Sequence, residues 1–261
     1  FKNKSQAKEK IIKAVDGISL EINRGEIMGV VGESGSGKST LGRSILRLLP
    51  IQSGEIIFSG ANLTALLPKE LREFRKKMQM IFQDPYASLN PRMTVYETLA
   101  EPLIFHRVAN EKNITSRVTS LMDEVGLPKN SMHKYPHEFS GGQRQRIAIG
   151  RAIGIKPEFI IADEPVSALD VTIQSQILDL IVSLVERYSI TMLFISHDLS
   201  VIRSVTDRVA VMKSGKILEK EKTELLWKNP KNHYTQNLLR SIPIPDPRKE
   251  RARLLNRAEQ V

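Results

Sequence analysis

Gly32-Glu33-Ser34-Gly35-Ser36-Gly37-Lys38-Ser39 constrains this chain more than any other stretch. It fits GxxxxGK[ST] and follows the apolar run Ile27-Met28-Gly29-Val30-Val31. Strand, glycine-rich turn and helix is the context in which that pattern holds phosphate. The glycines let the backbone curl so that successive N–H groups point inward at phosphate oxygens. A helix beginning near Lys38 adds its positive N-terminal end. On this reading Gly32, Ser34, Gly35, Ser36, Gly37, Lys38, Ser39 and Thr40 form a nucleotide cradle. Lys38 reaches the β- and γ-phosphates, and the Ser39 hydroxyl ligates Mg2+. Taken alone, the same residues also suit an ordinary glycine turn before a helix.

Composition narrows the classes. A chain of 261 residues can bury a large core, and its 41% apolar and 26% charged residues are ordinary for a globular protein. No apolar run is long enough to cross a bilayer. The chain has no cysteine, which excludes disulfides, thiolate zinc sites and cysteine-ligated iron–sulfur clusters and fits a cytoplasmic location. A net charge of +10 suits nucleic acid, an anionic membrane face or nucleotide phosphates as partners. With 5% aromatics there is no basic stripe interleaved with aromatic residues, the pattern expected for base stacking.

The periodicities alternate between strand and helix. Residues 18–22, 55–58, 78–82, 159–162 and 192–195 read as strands, and 208–212 with 217–219 read as a hairpin turning at Ser214-Gly215. Helical spacing covers 95–105, 113–125, 143–154 and 171–187, with Gly126-Leu127-Pro128 as a break. Such alternation predicts an α/β fold, a mostly parallel sheet with helices on its faces. Residues 84–156 interrupt the sheet pattern and read as an inserted helical subdomain. Residues 1–83 and 157–219 then form the nucleotide-binding core, and 220–261, polar and proline-marked, an appended and partly helical extension.

A second half-site lies downstream. Phe159-Ile160-Ile161-Ala162 runs into Asp163-Glu164, so a buried strand delivers two carboxylates to the edge where open α/β sheets bind ligands. Asp163 there suits Mg2+, held through water. Glu164 suits the acceptance of a proton from an attacking water. Ser140-Gly141-Gly142-Gln143 is a capping box opening a helix. On those four residues alone it is equally an ordinary helix start or a second phosphate-binding N-terminus.

In order along the chain, these motifs resemble the ATP-binding subunits of ABC transporters. Phe139-Ser140-Gly141-Gly142-Gln143-Arg144 resembles their signature motif, with Phe139 where Leu is usual. Gln83 matches the Q-loop glutamine, Ser167-Ala168-Leu169-Asp170 the D-loop, and His197 the switch histidine. The segments 83–94, 135–140 and 164–171 are more narrowly similar to oligopeptide/dipeptide importer ATPases. The tail, with Asn229-Pro230, His233-Tyr234-Thr235 and Ser241-Ile242-Pro243, is most like the F-type subunit, which works beside a D-type ATPase.

The resemblance implies a P-loop NTPase (RecA-like) core with an antiparallel β subdomain and an inserted helical subdomain. It also implies ATP and Mg2+, with a composite site in which two such chains meet head to tail. Gln83, Glu164, His197 and Lys38 are then the catalytic set, and Ser39, Gln83 and Asp163 the metal set. Ser140, Gly141, Gly142 and Gln143 face the partner's nucleotide, and Asp170 joins the two sites. Phe1 is the candidate for the aromatic that stacks on adenine. The implied partners are a D-type ATPase, transmembrane permease subunits at the cytoplasmic face of the membrane, an extracytoplasmic binding protein, and no nucleic acid. A soluble ABC-type ATPase acting on nucleic acid or the ribosome is the alternative, against which stand a single ATPase unit, no heptads and no cysteine.

Overall fold

The structure, a computed structural model, describes residues 13–242. Phe1 and the tail beyond Ile242 therefore lie outside the described residues. In chain order the strands are β1 (Ile27–Val31), β2 (Ile57–Phe58), β3 (Ala61–Asn62), β4 (Met78–Ile81), β5 (Phe159–Asp163), β6 (Thr191–Ser196), β7 (Arg208–Lys213) and β8 (Lys216–Lys222). The α-helices are α1 (Lys38–Ile45), α2 (Pro68–Lys77), α3 (Pro85–Ser88), α4 (Val95–Phe105), α5 (Ile114–Glu124), α6 (Gly141–Ile153), α7 (Val171–Tyr188), α8 (Leu199–Val205), α9 (Thr223–Lys228) and α10 (His233–Arg240).

Six strands form one sheet in the order β4-β5-β6-β1-β7-β8, parallel except for the β7–β8 hairpin. Strands β1, β5 and β6 are buried along their whole length, as parallel strands covered on both faces must be. Their side chains alternate between two cores. Met28, Val30, Phe159, Ile161, Leu193 and Ile195 pack with Leu41 of α1 and Leu71 of α2. Ile27, Val31, Ile160, Ala162, Met192 and Phe194 pack on the other face with α4–α8. The edge strand β8 carries alternating Lys and Glu, which discourage pairing with another sheet.

Register aligns the chemistry. Val31 pairs with Ser196, Asp163 with Ile195, and Ile81 with Ala162. The residues that follow these pairs, Gly32, Glu164, His197 and Gln83, therefore leave the sheet at one carboxyl edge.

Several sequence expectations shift. The antiparallel β element is short, two residues per strand in β2 and β3, and excludes Glu55. Residues 18–22 keep the alternating burial of a strand, with Ile18, Leu20 and Ile22 turned to the core. No ladder among the described residues pairs them, so they are extended chain rather than a strand. Helix α2 was not expected. Its start signals are Pro68 at the first helical position and Glu70, whose carboxylate accepts the Leu67 N–H at 2.7 Å. Its ten residues are rich in Lys and Arg, and the face turned to the core carries Leu71 and Phe74, three positions apart. The signature helix begins at Gly141, two residues before the expected Gln143, because Ser140 is its cap.

Candidate functional site

The loop from β1 to α1 is held open by its neighbours. Gly37 has φ 103°, a left-handed conformation that disfavours any side chain, and a Cβ there would collide with the Ala14 carbonyl. A Cβ on Gly32 would strike the Met212 carbonyl. Ser36 C=O accepts the Gly215 N–H at 2.9 Å, fixing the loop to the β7–β8 turn. Ser34 and Gly35 form the exposed tip, and Thr40 is half-buried in the first turn of α1. The Ser36 hydroxyl is buried without a partner. Lys38 folds back, its ammonium donating to Gly32 O at 2.8 Å and Glu33 O at 2.9 Å. Burial pulls the Lys38 pKa down, against the attraction of Glu164 and Asp163.

Asp163 closes the floor of the site. Its side chain is fully buried, its Oδ1 accepts the Ser39 hydroxyl at 2.8 Å, and its Oδ2 has no partner. Burial, with a smaller push from Glu164, raises the carboxyl pKa, opposed by Ser39, Arg43 and Lys38. A buried carboxylate with an orphaned oxygen beside a hydroxyl is the donor set a hard divalent cation takes. The residues therefore fit Mg2+. Among the described residues no group of three or more His, Asp or Glu cages a metal, and Mg2+ bound to phosphates and water needs none.

Glu164 is where three strand ends meet. Its backbone is left-handed at φ 48°, and its N–H donates to Ile195 O at 2.9 Å, so β6 holds it in that conformation. A glutamate there carries about 1–2 kcal/mol of strain. The turn aims Oε2 at two groups, Gln83 Nε2 at 3.0 Å and His197 Nδ1 at 3.1 Å. Gln83 follows β4 and His197 follows β6, so Glu164, Gln83, His197 and Asp163 form one cluster beside Lys38 and Ser39. The Glu164 side chain is 12% exposed and that of His197 54%, so the carboxylate is shielded while the histidine borders solvent.

The remaining motif residues stand apart. Ser140 caps α6, its Oγ accepting Gln143 N–H at 3.3 Å while Gln143 Oε1 accepts Ser140 N–H at 3.0 Å. Ser140 and Gly141 are exposed. Gly142 is buried, and a Cβ there would lie 2.5 Å from Ile173 Cγ2 on α7. Asp170 caps α7 through Ile173 N–H at 3.0 Å. Among the described residues no hydrogen bond or ion pair joins the 140–143 segment to the phosphate loop or to Glu164. Phe139, in place of the usual Leu, is buried in the core.

Two sets of contacts escaped the sequence. Arg144 donates to Pro136 O at 2.8 Å and lies over the Tyr86 ring, 5.2 Å from its centroid, while Arg151 donates to Ser88 O at 2.6 Å. Together they tie the turn after Gln83 to α6. Tyr234 of α10 accepts the Glu33 N–H at 3.3 Å. Nothing in sequence spacing signals either contact, since both span distant segments. A groove of 340 Å3 lined by Leu46, Leu71, Phe74, Met80, Phe82 and Ser88 opens beside Gln83.

Comparison with known proteins agrees with this geometry. The family model described as ABC transporter matches residues 15–167. The oligopeptide transport ATP-binding protein OppF of Bacillus subtilis is 53% identical over 245 residues, covering 93% of this chain and 80% of its own length. The protein of that name from Streptococcus mutans is 51% identical over 253 residues, covering 97% and 82%. Among solved structures, a dimeric post-hydrolysis state of the ATP-binding cassette MJ0796 bound to ADP and Pi superposes with TM-score 0.75 at 32% identity. The match covers 82% of this chain and 93% of that one. A phosphate loop, a buried aspartate and a strand-end carboxylate set on one sheet edge, together with these matches, show that the chain belongs to the ABC transporter family.

Proposed function

We propose that this chain is the F-type ATP-hydrolysing subunit of an oligopeptide or dipeptide importer. The observation that carries the reading is the convergence of Gln83 and His197 on one oxygen of Glu164, beside a buried Asp163 with an unused oxygen. The relatives named as oligopeptide transport proteins support the cargo class.

In this mechanism Lys38 leaves its loop carbonyls to meet the β- and γ-phosphates, and the N–H groups of residues 35–40 surround them. Ser39, Asp163 and the carbonyl oxygen of Gln83 would hold Mg2+, whose positive charge, when bound, offsets that of the phosphates. Glu164 accepts the proton of the attacking water. Gln83 and His197 keep its carboxylate aimed, and His197, at the solvent border, turns to the γ-phosphate. A lone chain leaves one side of that phosphate in water. The signature segment of a second, D-type ATPase covers it in a head-to-tail dimer, Ser140, Gly141, Gly142 and Gln143 of this chain do the same for the partner's nucleotide, and Asp170 links the two sites. The exposure of Ser140 and Gly141 in the single chain supports this.

The proposed domain division follows from this. Residues 13–83 and 157–219 carry the phosphate chemistry, 84–156 form the helical arm, and the extension starts near 220. The groove beside Phe82 receives a permease segment at the cytoplasmic face of the membrane, and its neighbour Gln83 relays closure to Glu164. No helix among the described residues is long and apolar enough to cross a membrane. Phosphate release by the purified chain with a D-type partner tests the reading. Turnover that requires Mg2+ and stops with a chelator supports it, and Mg2+-independent or absent turnover overturns it. Peptide uptake by the complex reconstituted with permease and binding protein tests the cargo.

A further inference from the structure

The C-terminal helix reaches into the phosphate loop. Glu33, the second residue of that loop, has both backbone groups engaged. Its C=O accepts Lys38 Nζ at 2.9 Å and Ser36 N–H at 3.2 Å, and its N–H donates to Tyr234 Oη at 3.3 Å. The peptide that Tyr234 grips joins Gly32 to Glu33, and its carbonyl, Gly32 O, accepts Lys38 Nζ at 2.8 Å.

Tyr234 is itself firmly placed. It is 9% exposed, and Lys213 Nζ sits 4.3 Å from its ring centroid. Asn232 caps α10 by accepting the Tyr234 N–H at 2.9 Å. The two carboxylate oxygens of Glu219 accept Lys231 N–H at 2.7 Å and Asn232 N–H at 3.0 Å, anchoring the start of the helix to β8. The same hairpin holds the loop from the other side through Gly215 N–H and Ser36 O. Loop, hairpin and tail close a circuit of hydrogen bonds. The ring joins the core, and the hydroxyl meets the loop backbone.

We propose that Tyr234 is a positioning residue for the nucleotide site, through which the C-terminal extension sets the shape of the phosphate loop and hence the affinity for ATP. The inference rests on residues 32–39 being the nucleotide cradle. Tyr234 touches no reacting atom. It restrains the Gly32–Glu33 peptide, so without the hydroxyl that peptide can rotate and carry Gly32 O, an acceptor for Lys38, with it. The loop grips phosphate in the ground state and the transition state alike, so its loosening raises KM and leaves kcat in place.

The test uses the full chain with its ATPase partner, a fluorescent ATP analogue for affinity and Mg2+-dependent phosphate release for turnover. Tyr234→Phe keeps the ring and its cation contact and removes only the hydroxyl. It is expected to raise the analogue Kd and the KM for ATP about 2–10-fold, the range for loss of one hydrogen bond, with kcat within about twofold of wild type. Glu219→Ala, which frees the helix from β8, is expected to shift KM in the same direction. The double variant is expected to match the larger single effect, because both act through one strut. A Tyr234→Phe protein with wild-type KM and Kd overturns the inference, as does a double variant whose effects multiply. A wild-type chain that neither binds the analogue nor releases phosphate overturns the ATPase reading instead, and this inference with it.

Discussion

His197 Nδ1 lies 3.1 Å from Glu164 Oε2, the oxygen that Gln83 Nε2 also meets at 3.0 Å. The two donors come from segments that follow different strands, β6 and β4, so the sheet edge as well as the turn at Glu164 aims the carboxylate. The two donors differ in their surroundings. His197 is open to solvent, and Gln83 adjoins Phe82 of the groove beside α2.

Replacing Glu164 by Gln should leave nucleotide affinity close to wild type and cut turnover by at least roughly 10²-fold, the scale of losing a general base. Equilibrium binding of a fluorescent nucleotide and steady-state phosphate release measure the two separately. A Gln variant that turns over normally would remove Glu164 from the role.

Asp163→Asn bears on the cation. The Asp163 carboxyl is raised above its ordinary pKa chiefly by burial, so folding favours its protonated form. Its contribution to stability is present at low pH and lost as pH rises through the raised value. As pH rises through that value the apo chain takes on a buried charge that Ser39, Arg43 and Lys38 offset only in part. The Asn variant is expected to melt at or above the wild-type temperature, and to lose the extra stabilisation that Mg2+ with nucleotide gives wild type. Because the cation needs the carboxylate, wild-type Mg2+ affinity should begin to fall at a pH above the usual carboxylate range. Thermal melts across pH, with and without Mg2+, check both statements.

Gly142→Ala should destabilise the chain by about 1–3 kcal/mol, the range for overpacking, because the new methyl meets Ile173 Cγ2. Ile173→Ala in the same chain should recover much of that loss. Chemical denaturation of the two singles and the double measures it. A double variant no more stable than Gly142→Ala would show that the α6–α7 contact is not the cause.

Ser140→Ala removes the cap of α6 and should cost about 0.5–2 kcal/mol of stability. Its larger effect should appear in trans. Nucleotide binding by the isolated variant stays near wild type, while turnover falls at the site its partner contributes. Mixing the variant with a wild-type partner and following single-turnover phosphate release separates the two sites.

Much of the fold and half of the site were legible along the chain. Helix α4 falls on residues 95–105 as its apolar spacing and capping box require, and β5 ends on Asp163 as a buried run closed by a carboxylate requires. Helix α2 is marked by Pro68, Glu70 and a core-facing Leu71 and Phe74, but two large apolar residues among ten make a short signal beside the longer apolar runs. The alternation of residues 18–22 is that of a strand and survives in their burial, but pairing depends on a neighbour that no local pattern names.

By itself, the order of residues determined the phosphate loop, since GxxxxGK[ST] after an apolar strand is a statement about backbone N–H groups within one short segment. It likewise determined which residue types were available to hold phosphate and cation. Only the tertiary structure decided that Gln83, Glu164 and His197 share one oxygen, that Asp163 keeps a buried oxygen free, and that Tyr234 reaches Glu33. Those contacts link residues far apart in the chain. Strand register and the packing of α10 against the hairpin bring them together, and neither is written in any local window.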